Sequence, residues 1–117
     1  MDTVLYKYQD KGAEYLVYDT CLNTEKLNAK TVRAICARNF ALGARGILAG
    51  PLPKNSAGVT MYRPDGSQAD AGDDGTAVFF SYLKDAGCRS RERSAGLPAH
   101  AVGKLFLTEE FMRKNRQ

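Results

Sequence analysis

The chain has no tryptophan, a single histidine (His100) and only three cysteines (Cys21, Cys36 and Cys88). No two cysteines form a C-x-x-C pair, and one histidine cannot complete the ligand set that zinc requires. An odd number of widely spaced cysteines also argues against a disulfide framework. Free thiols in a reducing compartment are expected instead. No apolar run approaches the roughly 20 residues that a membrane-spanning helix needs. The opening Met1-Asp2-Thr3-Val4 is acidic and shows no secretion-signal pattern, so a cytoplasmic protein without a membrane partner is expected.

Hydrophobic residues make up 44% and charged residues 26% of the 117, a globular balance consistent with one domain. The formal net charge is +4, with much of the excess at Arg89, Arg91 and Arg93 and again at Arg113, Lys114 and Arg116. A basic end can contact nucleic acid. Here Glu92, Glu109 and Glu110 interrupt the run and no aromatic residue is interleaved in Arg89–Arg93. A solvated charged surface accounts for it, and a nucleic-acid partner is not expected.

Two stretches rich in β-branched and aromatic residues, Thr3–Gln9 and Glu14–Asp19, read as strands. Asp10-Lys11-Gly12-Ala13 between them reads as a hairpin turn. Asn28 is placed to cap a helix whose Val32, Ile35 and Cys36 share one face, ending near Asn39. That face makes Cys36 a packing residue more readily than a nucleophile. Gly46–Gly50 is a short apolar strand closed by Pro51 and Pro53, with Lys54-Asn55-Ser56 as a loop. Gly58–Arg63 alternates as a strand, and Pro64-Asp65-Gly66-Ser67 has the residues of a tight turn. Thr76–Leu83 is apolar on nearly every side, which predicts a buried helix with a sheet around it and Gly87 as its C-cap. Cys88–Ala99 reads as irregular, Ala101–Leu107 as a strand, and Thr108 as the cap of a short terminal helix. In that helix Glu109 and Glu110 sit at the positive end, Arg113 and Lys114 at the negative end.

Four segments, in order, carry a resemblance to a known family. Tyr6-Lys7-Tyr8-Gln9 with Gly12-Ala13-Glu14-Tyr15-Leu16-Val17-Tyr18-Asp19 looks like a hairpin that usually bears G-N-D and an aromatic before an apolar strand. Arg38-Asn39-Phe40-Ala41-Leu42-Gly43-Ala44-Arg45-Gly46 is similar to an R-x-F-G-x-G-x-D-G loop. Tyr62-Arg63-Pro64-Asp65-Gly66-Ser67-Gln68-Ala69 resembles an F-N-A-D-G-S-E-A turn, and Asp70–Leu83 aligns with a stretch bearing C-G-N-G ahead of a helix. Together, from about Tyr6 to Gly87, they resemble the amino-terminal domain of the diaminopimelate epimerases. The resemblance implies an α/β (α+β) half-molecule, a mostly antiparallel sheet curled around one central apolar helix. It implies a cofactor-independent isomerase of lysine biosynthesis that inverts LL- to meso-diaminopimelate. Two thiols, one from each of two such domains, would act on opposite faces of the α-carbon. Such chemistry needs a low-pKa thiolate and stabilisation of the developing carbanion.

The sequence departs from the family at those positions. Gly72 stands where the first thiol belongs, and Asp73 and Asp74 stand where the family has Gly-Asn; only Gly75 of that motif remains. Helix N-termini suit anions, but two carboxylates would screen this one and can cap the helix themselves. Ala13 and Glu14 replace the Asn-Asp of the hairpin, Arg45 the aspartate of the glycine loop, Arg63 the asparagine of the turn, and Ala77 an arginine. What survives is structural: Gly12, Asp19, Gly43, Gly46, Asp65, Gly66 and Ser67. The implied pocket retains Arg63, Asp73, Asp74 and Gly75 as substrate-binding positions and no catalytic residue, cofactor or metal. Cys88, beyond the helix, is remote from it.

The expected organisation is an epimerase-like domain over 1–88, an irregular linker over 89–100, and a closing strand with a short helix of the same domain over 101–117. Three functions stay open. One is an epimerase-type domain, truncated and inactive. A second is a non-catalytic binding or self-associating module, with a small amino acid or a second copy as partner. The third is an active racemase completed by dimerisation.

Overall fold

The computed structural model describes residues 3–23, 25–37, 44–52, 58–90 and 101–115, of which 87–90 are described by backbone only. The elements run β1 (Thr3–Asp10), β2 (Ala13–Asp19), α1 (Ala29–Cys36), β3 (Ala44–Gly50), β4 (Thr60–Tyr62), β5 (Gln68–Asp70), α2 (Gly72–Ser90), β6 (Ala101–Leu107) and α3 (Glu109–Lys114). The six strands form one sheet in the order β5-β4-β3-β2-β1-β6. β2 and β3 are parallel, and the remaining pairs are antiparallel. Parallel neighbours cannot be joined by a tight turn. The connection between them carries α1, capped by Asn28, whose side chain accepts from Thr31 N at 2.9 Å. The β1–β2 turn has Lys11 at φ 52° and Gly12 at φ 80°. Two successive positive φ values give the turn whose twist matches a two-residue hairpin.

Strand alternation divides the core into two layers. Leu5, Leu16, Tyr18, Ile47 and Ala49 face Val32 and Ile35 of α1 and Met112 of α3. Their neighbours Tyr6, Tyr8, Tyr15, Val17 and Leu48 face Val78, Phe79 and Tyr82 of α2. A fully buried side chain such as Leu5, Ile47 or Phe79 contributes about 1.5–3 kcal/mol relative to exposure. α3 is tied to α1 by Thr31 Oγ1, which donates to the Asn115 carbonyl at 2.6 Å. Beyond β2, Asn23 stands in for a strand residue: its side chain accepts from Val4 N and donates to Val4 O, both at 2.9 Å.

Three readings of the sequence change. α2 begins at Gly72 rather than Thr76 and continues through Gly87 to Ser90, so Gly87 is inside the helix and not its C-cap. The sheet gains β5, whose polar Gln68-Ala69-Asp70 pairs with β4 through backbone alone. The run Thr76–Leu83 is apolar in composition but amphipathic in place. Val78, Phe79 and Tyr82 are buried against the sheet, whereas Ala77, Phe80 and Ser81 are exposed, Phe80 by 48%. The described residues cover this helix from the sheet side. Residues 38–43 of the glycine loop, 53–57, and 91–100 of the expected linker lie outside the described residues.

Candidate functional site

The α2 N-terminus is set by the β4–β5 hairpin. Asp65 shapes its turn, accepting from Ser67 Oγ at 2.7 Å and Ser67 N at 2.9 Å. The hydroxyl of Ser67 is the main cause of an Asp65 carboxyl held below its ordinary value. Arg63 N donates to Ser67 O across the same turn. β5 then delivers Asp70, whose side chain accepts from Gly72 N at 3.1 Å and starts the helix. Asp73 and Asp74 therefore lie inside the first turn rather than at the cap, where carboxylates favour the helix dipole.

The four sequence-predicted positions separate into different environments. Asp73 and Asp74 are exposed, and Asp74 pairs with Lys11 of the β1–β2 hairpin at 3.6 Å. Gly75 is buried, and a Cβ there would meet Ala71 and Leu48 at 3.2 Å, so it serves close packing of helix on sheet. Arg63 is exposed at the far end of β5. Its guanidinium donates to Ser67 Oγ at 3.1 Å and to Gln68 O at 3.4 Å, within its own hairpin. Gly72 adopts φ +71°, and a Cβ there would have nothing within 4 Å. The position is thus open in space, but held in a backbone conformation that side chains disfavour by about 1–2 kcal/mol.

The cysteines lie elsewhere along the backbone. Cys88 follows Gly72 by sixteen residues on the same helix, about 24 Å away at 1.5 Å per residue. Cys21 is exposed after β2, and its backbone amide donates to Asp19 Oδ1 at 2.7 Å. Burial, then the Asp19 carboxylate, raises its thiol pKa. Cys36 is half-buried on α1 and is likewise raised by burial. Both shifts work against thiolate formation, the opposite of what proton abstraction requires. Among the described residues no group of three or more His, Cys, Asp and Glu is placed to hold a metal ion.

Beside α2 runs a cleft of about 260 Å³ lined by Tyr8, Gln9, Asp10, Ala77, Val78 and Ser81. Beneath it lies a tyrosine cluster that sequence reasoning missed. Tyr8 donates to the buried carboxylate of Asp85 at 2.8 Å, and Tyr82 donates to the buried carboxylate of Asp19. The Tyr82 ring sits 5.6 Å from Tyr6, 6.1 Å from Tyr8 and 6.1 Å from Phe79. Burial, followed by the bond to Asp19, raises its phenol far above the ordinary value. These pairs span 77 and 63 residues of sequence, so no local motif announces them.

The chain is 38% identical over 84 residues to diaminopimelate epimerase 2 of Nostoc sp. (strain PCC 7120), covering 70% of this chain and 30% of that protein. The match supports a diaminopimelate-epimerase-like family. No family model matches. The chain spans under a third of the length of the curated relative it resembles. None of the described helices is long and apolar enough to cross a membrane.

Proposed function

We propose that this chain is a diaminopimelate-epimerase-like unit that keeps the fold of one catalytic half and has given up its share of two-thiol proton transfer. The observation that carries the reading is Gly72, at φ +71° with open space where a side chain would stand. No base can act from a position without a side chain, and Cys88 is about a helix length away. The anion site is altered with it. Asp73 and Asp74 place two carboxylates in the helix turn whose amides would otherwise receive a substrate carboxylate. Arg63 is directed to its own hairpin, and Gly75 supports packing. Cytoplasmic localisation and descent from an isomerase of lysine biosynthesis are part of the same proposal.

The test is an amide-shift titration with diaminopimelate. The native chain is expected to show no saturable shifts at residues 72–76. The triple variant Gly72→Cys, Asp73→Gly, Asp74→Asn removes the two carboxylates and is expected to show them. Saturable shifts at these amides in the native chain would overturn the reading.

A further inference from the structure

The cleft between the end of β1 and the flank of α2 carries polar groups that the fold does not use. Among its lining residues, the side chains of Gln9, Asp10 and Ser81 make no hydrogen bond or ion pair with any other described residue. Gln9 and Ser81 are exposed, and Asp10 is half-buried. The rest of the lining is apolar: Ala77, Val78 and the ring of Tyr8. The Tyr8 hydroxyl is already committed, because it donates to the buried Asp85 at 2.8 Å. We propose that this cleft binds a small primary ammonium on a short apolar stem, with Asp10 as its counter-charge. The inference concerns the flank of α2 beyond its first turn and does not depend on the epimerase-like reading.

Charge decides the class of ligand. Asp10 is the charged residue of the lining, and the Asp85 carboxylate behind Tyr8 adds to the negative potential. Neighbouring bases are engaged elsewhere, Lys11 with Asp74 at 3.6 Å and Lys7 with Glu14 at 3.7 Å. Lys84, exposed three residues beyond Ser81, does not line the cleft. An anionic occupant would therefore meet like charge. A neutral one would take water from the Asp10 carboxylate without replacing its charge partner, which costs free energy. A primary ammonium has three donors and no acceptor. Three acceptors line the cleft to meet it: the Asp10 carboxylate, the Gln9 side-chain carbonyl and the Ser81 hydroxyl oxygen. At about 260 Å³ the space is below the roughly 300–1,000 Å³ of drug-sized sites, so the stem is a few carbons long. Ala77, Val78 and the Tyr8 ring cover that stem, and a cation beside the ring gains further attraction.

Amide-shift titration of the full chain with n-butylamine tests it, near pH 7 where the amine is protonated. Saturable shifts are expected at residues 8–10 and 77–81, apart from the 72–76 amides on which the epimerase-like reading is judged. 1-Butanol, which lacks the charge, and butyrate, which reverses it, are expected to bind about tenfold more weakly or worse. Butyltrimethylammonium keeps the charge without the donors and is expected to bind about threefold more weakly or worse. Asp10→Asn is expected to weaken butylamine about tenfold. Ala77→Leu fills the cleft from an exposed helix position and is expected to abolish the shifts while far-ultraviolet circular dichroism stays native. A native chain without saturable shifts at these residues overturns the proposal. So does equal binding of any of the three analogues, or butylamine binding that both variants leave unchanged. Should Asp10→Asn fail to fold, Ala77→Leu and the butanol comparison decide: shifts that survive Ala77→Leu, or butanol bound as tightly as butylamine, overturn it.

Discussion

Replacing Tyr82 by Phe removes one oxygen from the centre of the molecule and leaves the ring. The ring is fully buried and stacks on Phe79 at 6.1 Å, so packing should hardly change. What is lost is the hydroxyl that donates to Asp19, a buried carboxylate at 7% exposure. Cys21 N remains on Asp19 Oδ1, but Oδ2 loses this donor without gaining access to bulk water. A hydrogen bond to a charged group contributes about 1.5–3 kcal/mol, and stranding a buried acceptor costs a similar amount. The expected loss is therefore about 2–3 kcal/mol, read from urea unfolding as a lower midpoint at unchanged slope. Asp19→Asn combined with Tyr82→Phe should cost clearly less than the sum of the single changes, because the two groups share one interaction. A loss below about 0.5 kcal/mol for Tyr82→Phe, or strict additivity, would refute the bond as a stabilising feature.

Further outcomes follow from the same structure. Stability should be intact below pH 10, the ordinary value of the phenol, and should fall as pH rises, because Tyr18, pushed up to about 12 by burial and then Glu25, stays protonated in the folded chain after the unfolded chain has ionised. Tyr82 shifts in the same direction and adds to the fall. Tyr18→Phe should make the alkaline decline between pH 10 and 12 shallower, by on the order of 2 kcal/mol at its upper end; an unchanged profile would contradict the assignment. Asn23→Ala strips both polar groups of Val4 of partners at 2.9 Å and should cost about 2–3 kcal/mol, with faster hydrogen exchange at the Val4 amide. Gly72→Cys should fold with a loss of about 1–2 kcal/mol from its positive φ and present a thiol that reacts rapidly with a disulfide reagent. A slow, buried thiol would show that the position is not open.

Local signals made much of the fold legible. The Lys11-Gly12 hairpin, the Asn28 cap and the alternating strands are each dictated by neighbours within a few residues. β5 was not legible, because Gln68, Ala69 and Asp70 have no strand-forming side chains and are held by backbone pairing with β4. The extent of α2 was hidden at both ends by glycines that the helix tolerates: Gly72 and Gly75 at its start, Gly87 near its finish. Helix-wide apolarity suggested burial on all sides, but Phe80 is exposed because the described sheet covers only the opposite flank. At the candidate site the expectation at Gly72 rested on a single residue without a side chain, and its positive φ and open surroundings came only from the structure. The spread of Arg63, Asp74 and Gly75 into a hairpin, an ion pair and a packing contact depended on tertiary placement. The tyrosine–aspartate pairs likewise join distant segments and have no sequence signature.

The most direct test follows the α-deuterium of labelled diaminopimelate incubated with the purified chain. If Gly72 has removed the base from this half, deuterium should be retained as it is in a heat-inactivated control. Washout above that control, abolished by no change at Gly72 but dependent on the folded chain, would show that another group here takes the proton and would contradict the account.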